Sequence, residues 1–334
     1  MTIRTGLIGL GLGGRAFHEP LIRAAERLSL AGIATRHSTP DPAGLIADPA
    51  IELIVISTPN HSHYPLAKAA LEAGKHVVID KPFTVTLAEA DALIALACAE
   101  ERVLTVFHNR RWDGDFLTVQ RLLASGRLGE VMRYEAHWDR FRPAIKPGWK
   151  EEKGPGTGVL GDLGPHLIDQ ALLLFGPPDA VSGDLERQRA ETQVDDYFAI
   201  TMSYGKRRAI LTSSLLAAAP RPRFGLYGTE GSFVKYGLDP QESQAQAGLS
   251  PRDPGFGVED EAWHGTLTLA DGTAERIPTE RGRYLAFYEG VAASILDGAP
   301  VPVDPAEARA GLAIIDSVQA AAAATRPAAS APAA

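Results

Sequence analysis

Gly9-Leu10-Gly11-Leu12-Gly13-Gly14 sets glycines at the spacing G-x-G-x-x-G, directly behind the apolar run Ile3 to Leu10. Such a triplet between a strand and a helix permits a tight turn, close approach of backbone to a pyrophosphate, and close packing of the helix. The helix then offers its first N–H groups to the anion. Gly9, Gly11, Leu12 and Gly14 are therefore read as cofactor-binding. The next hundred or so residues keep the same rhythm. A helix is expected from Ala16 to Leu28, a strand from Leu30 to Ala34, and another from Leu53 to Ser57. A helix from Tyr64 to Ala73 comes next, then a strand from His76 to Ile79, a helix from Leu87 to Glu101 and a strand from Val103 to Phe107. Short continuous apolar strands separated by helices indicate a parallel sheet covered on both faces.

The pattern changes near residue 118. Glu130 to Arg140 alternates, with Val131, Arg133, Glu135 and His137 on one face and Met132, Tyr134, Ala136 and Trp138 on the other. Further strands are expected at Tyr197–Tyr204, Ala209–Leu216, Phe224–Tyr227, Ser232–Tyr236 and Gly265–Leu269, with helices near Tyr284–Leu296 and Pro305–Ala323. The expected fold is α/β followed by α+β: a Rossmann-type domain over 1–118, a mostly antiparallel α+β domain over 119–325 and a disordered tail at 326–334. Two domains suit 334 residues. The loop from Gly237 to Ala262 is long enough to suggest function or mobility. The formal net charge of −8 excludes a general affinity for nucleic acid or anionic lipid, while leaving room for a local basic pocket. Cys98, the single cysteine, excludes an internal disulfide; with no signal-peptide or membrane-spanning run, a cytoplasmic protein is expected.

The end of the second strand reads the 2′ position of a dinucleotide. A carboxylate there would favour NAD; Thr35-Arg36-His37-Ser38 offers a guanidinium and hydroxyls to a 2′-phosphate, which favours NADP, with NAD as the second choice. Too few residues separate Arg36 from Leu53 for a further strand with flanking helices, so the sheet is expected to be shortened there. Thr58-Pro59-Asn60-His61-Ser62-His63 lies just past a strand at the sheet's carboxyl edge, where such folds bind ligands, and is read as lining the nicotinamide pocket rather than holding a metal. Lys81, in Asp80-Lys81-Pro82, is placed to stabilise a developing alkoxide. In Gly161-Asp162-Leu163-Gly164-Pro165-His166, Pro165 suits a first helical position, with Asp162 just before the helix and able to orient His166 as a general acid/base.

The glycine turn, Asp80-Lys81-Pro82, Phe107-His108-Asn109-Arg110-Arg111-Trp112-Asp113 and Asp162 to Gln170 together resemble the Gfo/Idh/MocA oxidoreductase family. The likeness spans about residues 3 to 320. Arg140-Phe141-Arg142-Pro143 and Gly237 to Glu242 look like its NADP-dependent scyllo-inositol 2-dehydrogenase subgroup. The resemblance implies Lys81, Asp162 and His166 as the catalytic set. It also implies Pro59, Asn60 and His63 at the nicotinamide, and Asn109, Arg111 and Trp149 near cofactor or substrate. A homodimer or homotetramer through the open carboxy-terminal sheet is implied as well. Gly161 departs from the tyrosine of close relatives, which would enlarge the pocket. The expected reaction moves hydride between the nicotinamide and a secondary alcohol or ketone of a cyclitol or sugar-like polyol. His166, held by Asp162, would take the hydroxyl proton; Lys81, Asn109, Arg111, Asp196 and Tyr284 would hydrogen-bond the substrate. The alternatives are a reductase of another sugar-derived carbonyl and a non-catalytic nicotinamide sensor.

Overall fold

The computed structural model describes residues 1–325; the expected tail lies outside them. The first sheet contains β1 (Ile3–Ile8), β2 (Leu28–Ala34), β3 (Leu53–Ile56), β4 (His76–Asp80) and β5 (Leu104–Phe107), all parallel in the order β2-β1-β3-β4-β5. β3 and β5 are buried at every position, which is why their sequences carry apolar side chains on both faces. α1 (Glu19–Ala24), α2 (Pro42–Ala47), α3 (His63–Glu72) and α4 (Leu87–Ala99) connect them. As expected, no strand among the described residues lies beyond β2 in this sheet. Residues Pro42–Ala47 alone form a short helix, with the Asp41 carboxylate accepting from the Gly44 N–H at 2.8 Å and Pro42 in the first turn, where its missing N–H costs nothing. The helix expected to reach Leu28 instead ends at Ala24, because Leu28 is already paired with Ile3 in the sheet. It begins with a π-helical turn, Gly14–His18, which leaves His18 fully buried.

α5 (Gly114–Ala124) leads into a second sheet in the order β13-β12-β11-β10-β6-β9-β8-β7. Its strands are β6 (Val131–His137), β7 (Ala180–Glu186), β8 (Tyr197–Tyr204), β9 (Arg207–Ser214), β10 (Phe224–Gly228), β11 (Gly231–Lys235), β12 (Gly265–Leu269) and β13 (Ala274–Ile277). All neighbours are antiparallel except β6 and β9. α6 (Gly158–Phe175) packs on this sheet. Sequence patterning missed α5, β7 and β13, and also α7 (Gln241–Gln246), a short helix within the long loop.

The last two helices, α8 (Leu285–Asp297) and α9 (Pro305–Thr325), couple the halves. α8 returns to the first sheet, burying Phe287, Tyr288 and Val291 in its core, with the Phe287 and Phe107 rings 4.9 Å apart. α9 contributes Ala308 and Leu312 to that core and Ile314, Ile315 and Val318 to the core of the second sheet. One helix thus joins both cores. Phe287→Ala should accordingly destabilise the protein by about 3–5 kcal/mol in a urea titration, the range for truncating a buried phenylalanine. A loss under about 1 kcal/mol would show that α8 is not integral to the first core.

Candidate active site

A cleft of about 1170 Å³ lies between the two sheets, beyond the carboxyl ends of β1 to β5. Its lining includes Gly9, Gly11, Leu12, Thr35, Arg36, Thr58, Pro59, Asn60, Lys81, Asn109, Trp149, Asp162 and His166, so most of the expected site converges. The glycine turn fits a dinucleotide. Gly9 has φ +101°, and a Cβ there would lie 2.0 Å from the Ser57 carbonyl oxygen. A Cβ on Gly11 would meet nothing within 4 Å, leaving open space over the backbone where a phosphate can approach.

Lys81 sits at the carboxyl end of β4. Its Nζ donates to the Asp162 carbonyl at 2.6 Å and to Asp162 Oδ1 at 3.0 Å, bringing the two halves together. Lys150 Nζ donates to the same Oδ1 at 2.7 Å, and Arg140 Nη1 lies 3.6 Å from Oδ2. Burial pushes the Asp162 carboxyl up, but Lys81 and Lys150 outweigh it and hold the group well below the ordinary carboxylate range. For Lys81 burial dominates and lowers the ammonium, with Lys150 adding to the effect against the pull of Asp162. His166 is buried, stacked on Trp138 with ring centroids 5.7 Å apart, and its Nδ1 has no hydrogen-bond partner among the described residues. Burial, followed by the charges of Lys81 and Arg110, lowers its pKa well below the ordinary imidazole value. The ring is neutral at neutral pH and able to accept a proton.

Several expectations are corrected. α6 starts at Gly158, so Pro165 lies inside the helix and Asp162 one turn in from its start; Asp162 and His166 share a face as an i, i+4 pair. Asp162 nevertheless directs its carboxylate to cations, and no hydrogen bond joins it to His166. Arg111 is not in the cleft: it forms a bidentate pair with Asp169 at 2.8 and 2.6 Å and also binds Glu307, clamping the residues after β5 to α6 and α9. Asp196 is buried under Arg189, whose Nε lies 2.9 Å away. Tyr284 is buried between Arg110 and Asp113, accepting from the first at 2.5 Å and donating to the second at 2.6 Å. His63 is buried, with ring nitrogens 2.8 Å from the Pro82 carbonyl and 3.0 Å from the Thr58 carbonyl, so it braces the loops on either side of Lys81. Ser38 closes the Thr35–Pro40 turn, and Gly14 packs against Gly9; neither lines the cleft. Gly161 does not enlarge the pocket. A Cβ there would be 2.3 Å from the Gly156 carbonyl oxygen, so the Gly156 backbone occupies that space, with its oxygen held by Asn60 Nδ2 at 2.9 Å.

Family models for the oxidoreductase family match at both ends: the NAD-binding Rossmann fold over residues 3–108 and the C-terminal alpha/beta domain over residues 120–329. The chain belongs to the Gfo/Idh/MocA oxidoreductase family. It is 47% identical over 323 residues to the uncharacterized oxidoreductase YdgJ of Escherichia coli, with 92% of each chain covered. It is 39% identical to the scyllo-inositol 2-dehydrogenase (NADP(+)) IolW of Bacillus subtilis, covering 96% of this chain and 93% of that one. The solved structure of the oxidoreductase yvaA from Bacillus subtilis superposes with a TM-score of 0.93 at 38% identity, covering 97% of both chains. The family's two-domain pattern is thus present throughout, and an NAD(P)-binding dehydrogenase or reductase follows from it.

Sequence reasoning assigned no role to Trp138, Arg110, Arg140, Arg142, Lys150 or Glu242, all of which line the cleft. The one available signal was the alternation continuing past β6, which sets Trp138, Arg140 and Arg142 at successive i, i+2 positions. Among the described residues no group of three or more metal-ligating side chains gathers, and no helix is long and apolar enough to cross a membrane. Gly11→Ala should leave thermal stability unchanged, because the new methyl group meets nothing in the protein. Its NADP(H) affinity should fall about tenfold or more, since one charge-assisted hydrogen bond is worth about 1.5–3 kcal/mol. Unchanged affinity by fluorescence titration would remove Gly11 from the phosphate site.

Proposed function

We propose that this protein is an NADP-dependent oxidoreductase acting on a secondary alcohol or ketone of a cyclitol or sugar-like polyol, in the manner of a scyllo-inositol dehydrogenase. The supporting observation is the convergence of an ammonium, Lys81, and a neutral buried imidazole, His166, on the cleft that the glycine turn opens. The name of the relative IolW supports both the substrate class and the cofactor. When bound, the nicotinamide supplies the acceptor or donor of hydride. The protein's own residues do the rest. Lys81 donates hydrogen bonds to the substrate oxygen and stabilises its negative charge as the O–H bond weakens. His166 takes the hydroxyl proton in oxidation and returns it in reduction. Asp162 holds the Lys81 ammonium at the strand end rather than orienting the imidazole. Asn60, Pro59 and Thr58 wall the reacting end, and Arg36 with Thr35 faces the 2′ end. Trp149 and Asn109 complete the lining. The single cysteine suits a reducing cytoplasm, and assembly as a homodimer or homotetramer would use the second sheet.

Lys81→Ala should lower kcat by about 10²–10³ with NADP(H) affinity nearly intact, the usual loss for one oxyanion-stabilising donor. Wild-type turnover in that variant would exclude the mechanism. In the oxidative direction activity requires neutral His166 and protonated Lys81. The rate is therefore retained above the lowered His166 pKa, falling only as pH drops through it, well under the ordinary value of about 6.5. It declines again as pH rises through the lowered Lys81 pKa, below the ordinary value of about 10.4. A pH profile with Lys81→Arg, in which the alkaline limb moves upward, checks that assignment.

Arg36→Ala should weaken NADP binding about tenfold or more, the value of a charged hydrogen bond, and leave NAD binding unchanged. Parallel titrations with both cofactors test this. Equal losses for the two would show that Arg36 contacts the adenine rather than the 2′-phosphate.

A further inference from the structure

Beyond Arg110, which is paired with Glu242 and Asp113, and Arg36 at the end of β2, four cations line the cleft: Lys81, Arg140, Arg142 and Lys150. Among the described residues, Asp162 is the one carboxylate within ion-pair distance of any of the four, and three of them share it. The Arg142 guanidinium has no hydrogen bond or ion pair to any described residue. An acidic chain that gathers this excess of positive charge in one cleft leaves it short of counter-charge, and its partly buried members, Lys81 and Arg140, are costly unless paired.

The two arginines are set there by backbone geometry. Beyond β6 the chain stays extended and is laced to the end of β9: the Arg140 N–H donates to the Ser214 carbonyl at 2.9 Å and the Arg142 N–H to the Leu215 carbonyl at 2.7 Å. Alternation then places positions 140 and 142 on one side, both lining the cleft, and turns Phe141 out, where it is 59% exposed. A cofactor phosphate is the competing source of charge. The glycine turn, however, comes directly after β1, which lies two strands from Lys81 on β4, about 10 Å across the sheet. Arg36 comes after β2, one strand farther still. Arg140 and Arg142 rise from the other sheet.

We propose that the substrate of this site carries an anionic group, a carboxylate or a phosphate ester on the polyol or keto-sugar, and that Arg140 and Arg142 hold it. This rests on the polyol reading above and narrows it from neutral cyclitols to sugar acids or sugar phosphates. The test is calorimetric binding to the NADP(H)-loaded protein of three probes with one carbon skeleton: neutral D-glucitol, D-gluconate and D-glucitol 6-phosphate. At least one anionic probe should bind tenfold or more tightly than glucitol, with the advantage falling as salt is raised. Which of the two binds identifies carboxylate or phosphate. Arg142→Met, at a partly exposed position that leaves folding intact, and Arg140→Met should each erase the advantage while NADP(H) affinity stays within twofold. Equal or tighter binding of glucitol overturns the proposal, as does a loss that falls on NADP(H) instead of on the anionic probe. Because binding is read without turnover, a failure to oxidise any polyol would count against the dehydrogenase reading alone.

Discussion

The Asp162 carboxylate is the point at which the two halves of the molecule depend on each other. It binds Lys81 from the end of a parallel strand and Lys150 from the loop preceding α6, and it lies one helical turn before His166. A charge set among three cations is held ionised by them, and removing it would leave those cations facing one another unpaired. The remaining framework keeps this contact in register. Arg111 clamps α6 through Asp169, Asn60 fastens the loop ahead of α6, and α9 threads both hydrophobic cores. Because the halves are fixed at several points, Lys81 and His166 are held in place in the cleft, which is the condition for electrostatic catalysis by the mechanism proposed for them.

How much was legible in the sequence depends on the range of the interactions involved. The glycine turn, the apolar strands and the missing strand after β2 are local, and the chain's own periodicity reveals them. Lys81, Asp162 and His166 could be singled out because each belongs to a compact motif, and all three line the cleft. Arg111 and Tyr284 were misread as substrate ligands because a polar residue's partner can lie far along the chain: Asp169 is 58 residues from Arg111, and Arg110 is 174 from Tyr284. Asp196 was misread although its partner Arg189 is only 7 residues away, because no local pattern marks the turn that brings them together. Gly161 was misread for the opposite reason. A missing side chain leaves space only if nothing else occupies it, and here the Gly156 backbone does. The start of α6 was misplaced because Pro165 was taken as the first helical position, whereas the helix already begins at Gly158 and runs through it.

The charge distribution gives the site its chemical character. A chain with formal charge −8 places Arg36 at the end of β2 and a cluster of cations around Lys81 in the same cleft. Cofactor preference and substrate preference thereby become two separate electrostatic questions, posed by different sheets. The neutral His166 fits this arrangement, since burial, and after it nearby Lys81 and Arg110, disfavour a second proton on the ring.

The most direct test of the central claim is nicotinamide absorbance during incubation of the wild-type protein with a panel of neutral, carboxylated and phosphorylated polyols and keto-sugars, with NADP(H) and NAD(H) in parallel. The account requires turnover of at least one secondary alcohol or ketone, faster with NADP(H). Tight cofactor binding without turnover across the panel would contradict it and identify instead a protein that reports the redox state of the nicotinamide pool.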